Sequence, residues 1–127
     1  QRFLEAKERY PVGSEDWAVA TTAGFNMLTY EVCAEVAKPE WWNDEELKAM
    51  SARVVRAAPN DDAVHEMRAI VLRGDTGGSW EVGPRSAAEL MEAATHYERS
   101  AALNPAPTGK CQLSFDVARC RRQAEAM

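Results

Sequence analysis

The residues best suited to chemistry are the two histidines, His65 and His96, the cysteines Cys33, Cys111 and Cys120, and a glycine- and aspartate-rich run from Gly74 to Gly78. His65-Glu66-Met67-Arg68-Ala69 opens like the helical zinc motif His-Glu-x-x-His. Ala69 stands where the second imidazole must come one turn on, so the motif fails as a zinc-protease site. Asp75-Thr76-Gly77 matches the aspartic-protease tripeptide, but that chemistry needs two such aspartates sharing a proton. A single copy between helices reads as a turn. Gly74, Gly77 and Gly78 follow no predicted strand and precede no Gly-Lys-[Ser/Thr], so they make no phosphate cradle. His65 and His96 fall on separate predicted helices with no paired cysteine, too few ligands for a metal. Cys120, flanked by Arg119 and Arg121, is expected as a small buried hydrophobe rather than a reactive thiolate. The sequence thus predicts no catalytic residue, no cofactor and no metal.

The elements that would position these residues are helices, and the best written of them runs from Arg85 to Pro107. Ser86 and Glu89 form a Ser-x-x-Glu capping box, which fixes the start. Leu90, Ala93, Ala94, Tyr97, Ser100, Ala101 and Leu103 recur at three- and four-residue spacing and give one apolar face. Asn104-Pro105 and Pro107 end the helix, because proline lacks the amide hydrogen and disfavours helical geometry in the residue before it.

Within this stretch Ala93, Tyr97, Ser100 and Pro105, in Ala-x-x-x-Tyr-x-x-Ser-Ala-x-Leu-Asn-Pro, resemble the second helix of a tetratricopeptide (TPR) repeat. A weaker echo lies in residues 44–61, where an amphipathic helix from Leu47 closes at Ala58-Pro59-Asn60-Asp61, with Ser51 at the aromatic position. The closing prolines Pro59 and Pro105 are 46 residues apart, against about 34 for a TPR repeat. The excess matches residues 74–85, Gly-Asp-Thr-Gly-Gly-Ser-Trp-Glu-Val-Gly-Pro-Arg, which read as a loop inserted in the second unit. The resemblance implies an all-α fold of four to six helices: antiparallel hairpins stacked as a short TPR-like superhelix, one domain over residues 1–127. Thr108 to Met127, with Leu113, Val117 and Cys120 as its apolar line, resembles the capping helix of such a stack.

Earlier in the chain, Gln1 to Tyr10 reads as a short charged helix around Phe3 and Leu4, broken at Pro11-Val12-Gly13. Ser14 then caps a long helix from Trp17 to about Val36, ended by Lys38-Pro39. Gly24 inside it, with Ala20, Ala23 and Met27, predicts close approach of a neighbouring helix. Asn43 is the next N-cap, and Trp42 before it is placed to staple onto Leu47. Residues 60–73 continue as a helix that buries Val64, Met67, Ile70 and Val71.

Composition limits the partners. The chain has 127 residues and a net charge of −5, and this charge is unevenly spread. Residues 1–107 carry 11 basic and 18 acidic side chains, whereas residues 108–127 carry 4 and 2. An acidic body without a basic stripe argues against nucleic acid, and Arg119, Arg121 and Arg122 read as cations near a helix C-terminus. No apolar run reaches the length of a membrane span. An odd cysteine count without Cys-x-x-Cys, and no Asn-x-Ser/Thr acceptor, favour an intracellular setting. The start at Gln1 leaves room for a removed targeting peptide.

In a TPR-like hairpin the first helix lines the concave groove, so the resemblance implies partner contacts at His65, Glu66, Arg68 and Arg73. Trp41 and Trp80 add aromatic anchors at the turn and in the inserted loop. The expected function is a non-catalytic protein–protein interaction module, an adaptor or peripheral subunit of a larger assembly, such as an organellar or membrane-associated complex. The alternative is a helical ligand-binding or enzymatic domain.

Overall fold

The computed structural model describes residues 12–30, 42–74, 80–104 and 106–127. Among them lie five helices, α1 (Glu15–Tyr30), α2 (Asp44–Ala57), α3 (Asp62–Arg73), α4 (Ala87–Leu103) and α5 (Pro107–Glu125), and no strand. The expected all-α class is what the chain adopts. The expected helix over Gln1 to Tyr10 and the continuation of α1 to Val36 lie outside the described residues.

Helix boundaries follow local chemistry. Ser14 Oγ accepts from the Trp17 N–H at 3.1 Å, Asn43 Oδ1 from Glu46 at 2.9 Å, and Asp61 Oδ1 from Val64 at 3.1 Å. Each satisfies an amide that the first turn leaves without a helical acceptor. The Ser86–Glu89 capping box forms in both directions, each bond 3.0 Å long. At the far end of α3, Gly74 takes the left-handed conformation, φ 77°, and its N–H returns to the Ile70 carbonyl.

Each helix packs on the next in sequence, and α1 also lies against α3. Short turns, Ala58–Asp61 between α2 and α3 and Asn104–Ala106 between α4 and α5, make those neighbours antiparallel. The core is built from Trp17, Phe25, Leu47, Val54, Val64, Met67, Val71, Tyr97, Leu113, Val117 and Cys120. Ala69, Ala93 and Ala94 are fully buried, and with no side chain beyond Cβ they let α3 and α4 approach closely.

The expected face of α1 holds only in part. On α1 the buried residues are Trp17, Ala18, Thr21, Thr22, Gly24 and Phe25, so Gly24 is covered as expected, whereas Ala23 is exposed and Ala20 only half-buried. Covering Trp17 and Phe25 removes far more apolar surface than covering alanines, so the two aromatics set the rotation of the helix.

Candidate functional site

Three polar clusters sit on this frame, and each draws on different helices. The first joins the start of α2 to the segment before α4. Asp44, in the first turn of α2, accepts from Arg85 through Nη1 at 2.8 Å and Nη2 at 2.5 Å. It also accepts from the Trp80 indole N–H at 3.1 Å and the Gly83 amide at 3.2 Å. The Arg85 guanidinium, helped by Trp80 and Gly83 and opposed by burial, holds the Asp44 carboxyl far below its ordinary range. Arg85 also donates to the Val71 carbonyl at 2.9 Å, so the cluster ties α2, α3 and the approach to α4 together. Trp80 is buried, its ring 5.9 Å from Phe25 and 5.6 Å from Trp42 in edge-on contacts.

The second cluster lies between α3 and α5. Arg73 faces Asp116 at 3.7 Å, with side-chain exposures of 6% and 14%. Burial, then the charges of Asp116 and Asp62, push the Glu66 carboxyl up. Burial likewise pushes up the Tyr97 hydroxyl and the Cys120 thiol, with the Arg73 charge opposing it at both. Cys120 is buried, as the sequence suggested.

The third cluster crosses from α3 to α4. His65 and His96 stack with ring centroids 5.2 Å apart and Nδ1 atoms 3.0 Å apart. His65 Nε2 lies 2.7 Å from the Pro59 carbonyl oxygen, and His96 Nε2 lies 3.4 Å from Glu92 Oε2. Arg68 donates to that same oxygen at 3.2 Å, to the Lys48 carbonyl at 2.7 Å and to Ser51 Oγ at 3.0 Å. Ser51, small where the repeat pattern has an aromatic, is buried and leaves room for the guanidinium.

No protein-family model, curated protein or solved structure matches the chain.

The residues expected at a partner surface are largely turned inward. His65 is 6% exposed and Trp80 7%, because one is stacked on His96 and the other fills the gap between Phe25 and Trp42. Arg68 and Arg73 keep only 14% and 6% of their side chains exposed and bridge helices instead of lining an open groove. Trp41 lies outside the described residues. The structure brings His65 and Arg68 into one cluster and leaves Arg73 and Trp80 in the other two. The sequence reading missed Asp44, Arg85, His96 and Glu92 as partners. Only the first-turn placement of Asp44 marked it locally; the other pairings arise from packing.

The chemistry open to the third cluster is proton exchange, since an imidazole pair reaches from the Pro59 carbonyl to the half-exposed carboxylate of Glu92. Among the described residues no group of three or more His, Cys, Asp and Glu side chains is arranged to hold a metal ion.

Proposed function

We propose that this chain is a non-catalytic interaction module of helical-hairpin type, an adaptor or peripheral subunit of a larger protein assembly. The observation that carries the reading is the serial packing, in which each helix covers its neighbour in sequence and, among the described residues, α5 packs chiefly on α4 and exposes Phe115 on its outer side. Stacks of this kind continue through that side, either onto a further unit or onto a partner. Leu113, Val117, Cys120 and Ala124 are spent on the core, and Phe115 lies opposite them, 65% exposed. Arg119 and Arg122 share its face. A partner segment that fits is amphipathic and acidic, covering Phe115 with an apolar side chain and meeting the two arginines with carboxylates.

Photo-crosslinking from position 115 in the native source extract tests this, with the exposed α4 position Thr95 as the control. A stoichiometric adduct to one protein from position 115, absent from position 95, is the expected result. A chain that stays monomeric and gives no adduct overturns it.

One observation favours the second reading, a ligand-binding or enzymatic domain: the His65–His96–Glu92 array, in which an imidazole and a carboxylate meet near the surface. It predicts a thermal shift with a small metabolite that is lost when Glu92 is replaced by Gln.

A further inference from the structure

Three contacts on two imidazole rings determine how many protons the rings must carry. The Pro59 carbonyl oxygen, 2.7 Å from His65 Nε2, has no hydrogen to give, so His65 donates there as the Nε2–H tautomer. Neutral His65 then presents a bare lone pair at Nδ1. His96 Nδ1, 3.0 Å away, must supply the hydrogen of that contact. Neutral His96 is thereby fixed as the Nδ1–H tautomer, and its Nε2 lone pair faces the Glu92 carboxylate at 3.4 Å. Making all three contacts hydrogen bonds takes three N–H groups. Two neutral rings supply two, and two imidazolium rings supply four.

We propose that His65 and His96 form a single proton-binding site, which takes one proton at His96 Nε2 and refuses a second, so that the α3–α4 joint loosens in mildly acidic solution. The first proton turns a lone-pair contact with Glu92 into a charged hydrogen bond. A second has one place to go, His65 Nδ1, the atom that already accepts from His96. It would set two N–H groups head to head at 3.0 Å and press two cations together in a half-buried site.

The surrounding charges act in both directions. Burial of His96 opposes its protonation most, the adjoining His65 ring comes next, and Arg68 of α3 opposes it less. Glu92, one turn back on α4, favours it. Lys48 of α2 is engaged by Glu89 at 2.6 Å. Farther along α4, Glu98 is paired with Arg121 of α5, and Arg99 donates to Asn60 at 3.2 Å. Glu66, next to His65 in sequence, is coupled to Asp116 and Asp62. His96 therefore titrates below the ordinary histidine value.

The sign of the stability effect follows. In the unfolded chain each histidine binds a proton at about pH 6.5, while the folded pair binds fewer at the same pH. Folded-state stability is thus whole above that pH and declines as pH falls through it. The unfolding constant rises by up to about tenfold per pH unit for each proton withheld.

Imidazole-detected nitrogen NMR of the wild-type chain, from pH 8 to pH 5, reads both rings directly, since the sequence has two histidines. At pH 8 the expected pattern is Nε2–H on His65 and the less common Nδ1–H on His96. As pH falls, one new N–H appears, on His96 Nε2, and urea unfolding at each pH shows a growing unfolding constant. An Nε2–H tautomer on His96 at pH 8, or two rings that titrate independently near pH 6.5, overturns the proposal. Glu92→Gln, at a side chain 49% exposed, tests the landing place of the proton without threatening the fold. It lowers proton affinity at His96 by about twofold to fivefold, the range of a partly exposed ion pair. No change at His96 overturns the assignment.

Discussion

Replacing Asp44 with Asn or Ala should destabilise the chain more than any other exchange of a partly exposed polar residue. The carboxylate collects four N–H groups, two from Arg85 and one each from Trp80 and Gly83. Side-chain exposures are 18% for Asp44 and 7% for Arg85, so the pair is only partly screened by water. Removing one partner of a buried pair costs about 3 to 5 kcal/mol, and the residual exposure of Asp44 places the expected loss at the low end. About 3 kcal/mol is expected for Asp44→Ala and about 2 kcal/mol for Asp44→Asn, which keeps one acceptor oxygen but turns an amide toward the guanidinium. For a chain of this size 3 kcal/mol corresponds to roughly 10 °C in Tm.

The pH dependence gives a second reading of the same contact. Because the folded carboxyl titrates below its ordinary value of 3.8, its contribution is complete above that pH and is lost as pH falls below it. Urea unfolding followed by circular dichroism, at pH 7 and again at pH 3, should show the difference between wild type and Asp44→Asn shrinking in acid. A loss under about 0.5 kcal/mol at pH 7, the level of a neutral surface exchange, or a difference that grows toward pH 3, refutes the reasoning.

Gly74→Ala should cost about 1 to 3 kcal/mol in urea unfolding, because φ is 77° and a Cβ would meet Val82 Cγ1 at 2.6 Å. Ser86→Ala removes the cap of α4 and should cost about 1 kcal/mol by the same measurement. Phe115→Ala should leave Tm within about 2 °C, since a solvated side chain contributes little to folding, while abolishing co-purification of the partner from the native source extract.

The caps at Ser14, Asn43 and Ser86 were legible because capping acts over three residues, as were the helix ends at Gly74 and Asn104; Asp61, placed inside a helix starting at residue 60, instead caps α3. The polar clusters were not. Asp44 and Arg85 are 41 positions apart and His65 and His96 are 31 apart, and nothing local to either member announces the other. Arg68 looked like an exposed groove residue because its helix is amphipathic; that a guanidinium would run inward past Ser51 depends on how α2 crosses α3. Trp80 had to go somewhere in a loop of small residues. Its destination was set by Phe25 and Trp42, which come from distant elements. The face of α1 was read correctly at Gly24 but not at Ala20 and Ala23, because a run of alanine, threonine and glycine carries little periodic signal and Trp17 and Phe25 decide the rotation.

Serial packing also shapes how the chain reaches its native state. Two of the five packed helix pairs, α2–α3 and α4–α5, close over one short turn, so their contacts form without ordering a long loop, which favours rapid local collapse. The Asp44–Arg85 tie is different, because its 41-residue span encloses α2 and α3. Those helices must already be in place before the two side chains meet. A late contact of this kind leaves the folding rate nearly untouched and acts on escape from the native basin. The tie between α2 and the approach to α4 is then a brake on unfolding, and it determines how long a folded molecule lasts more than how quickly it forms.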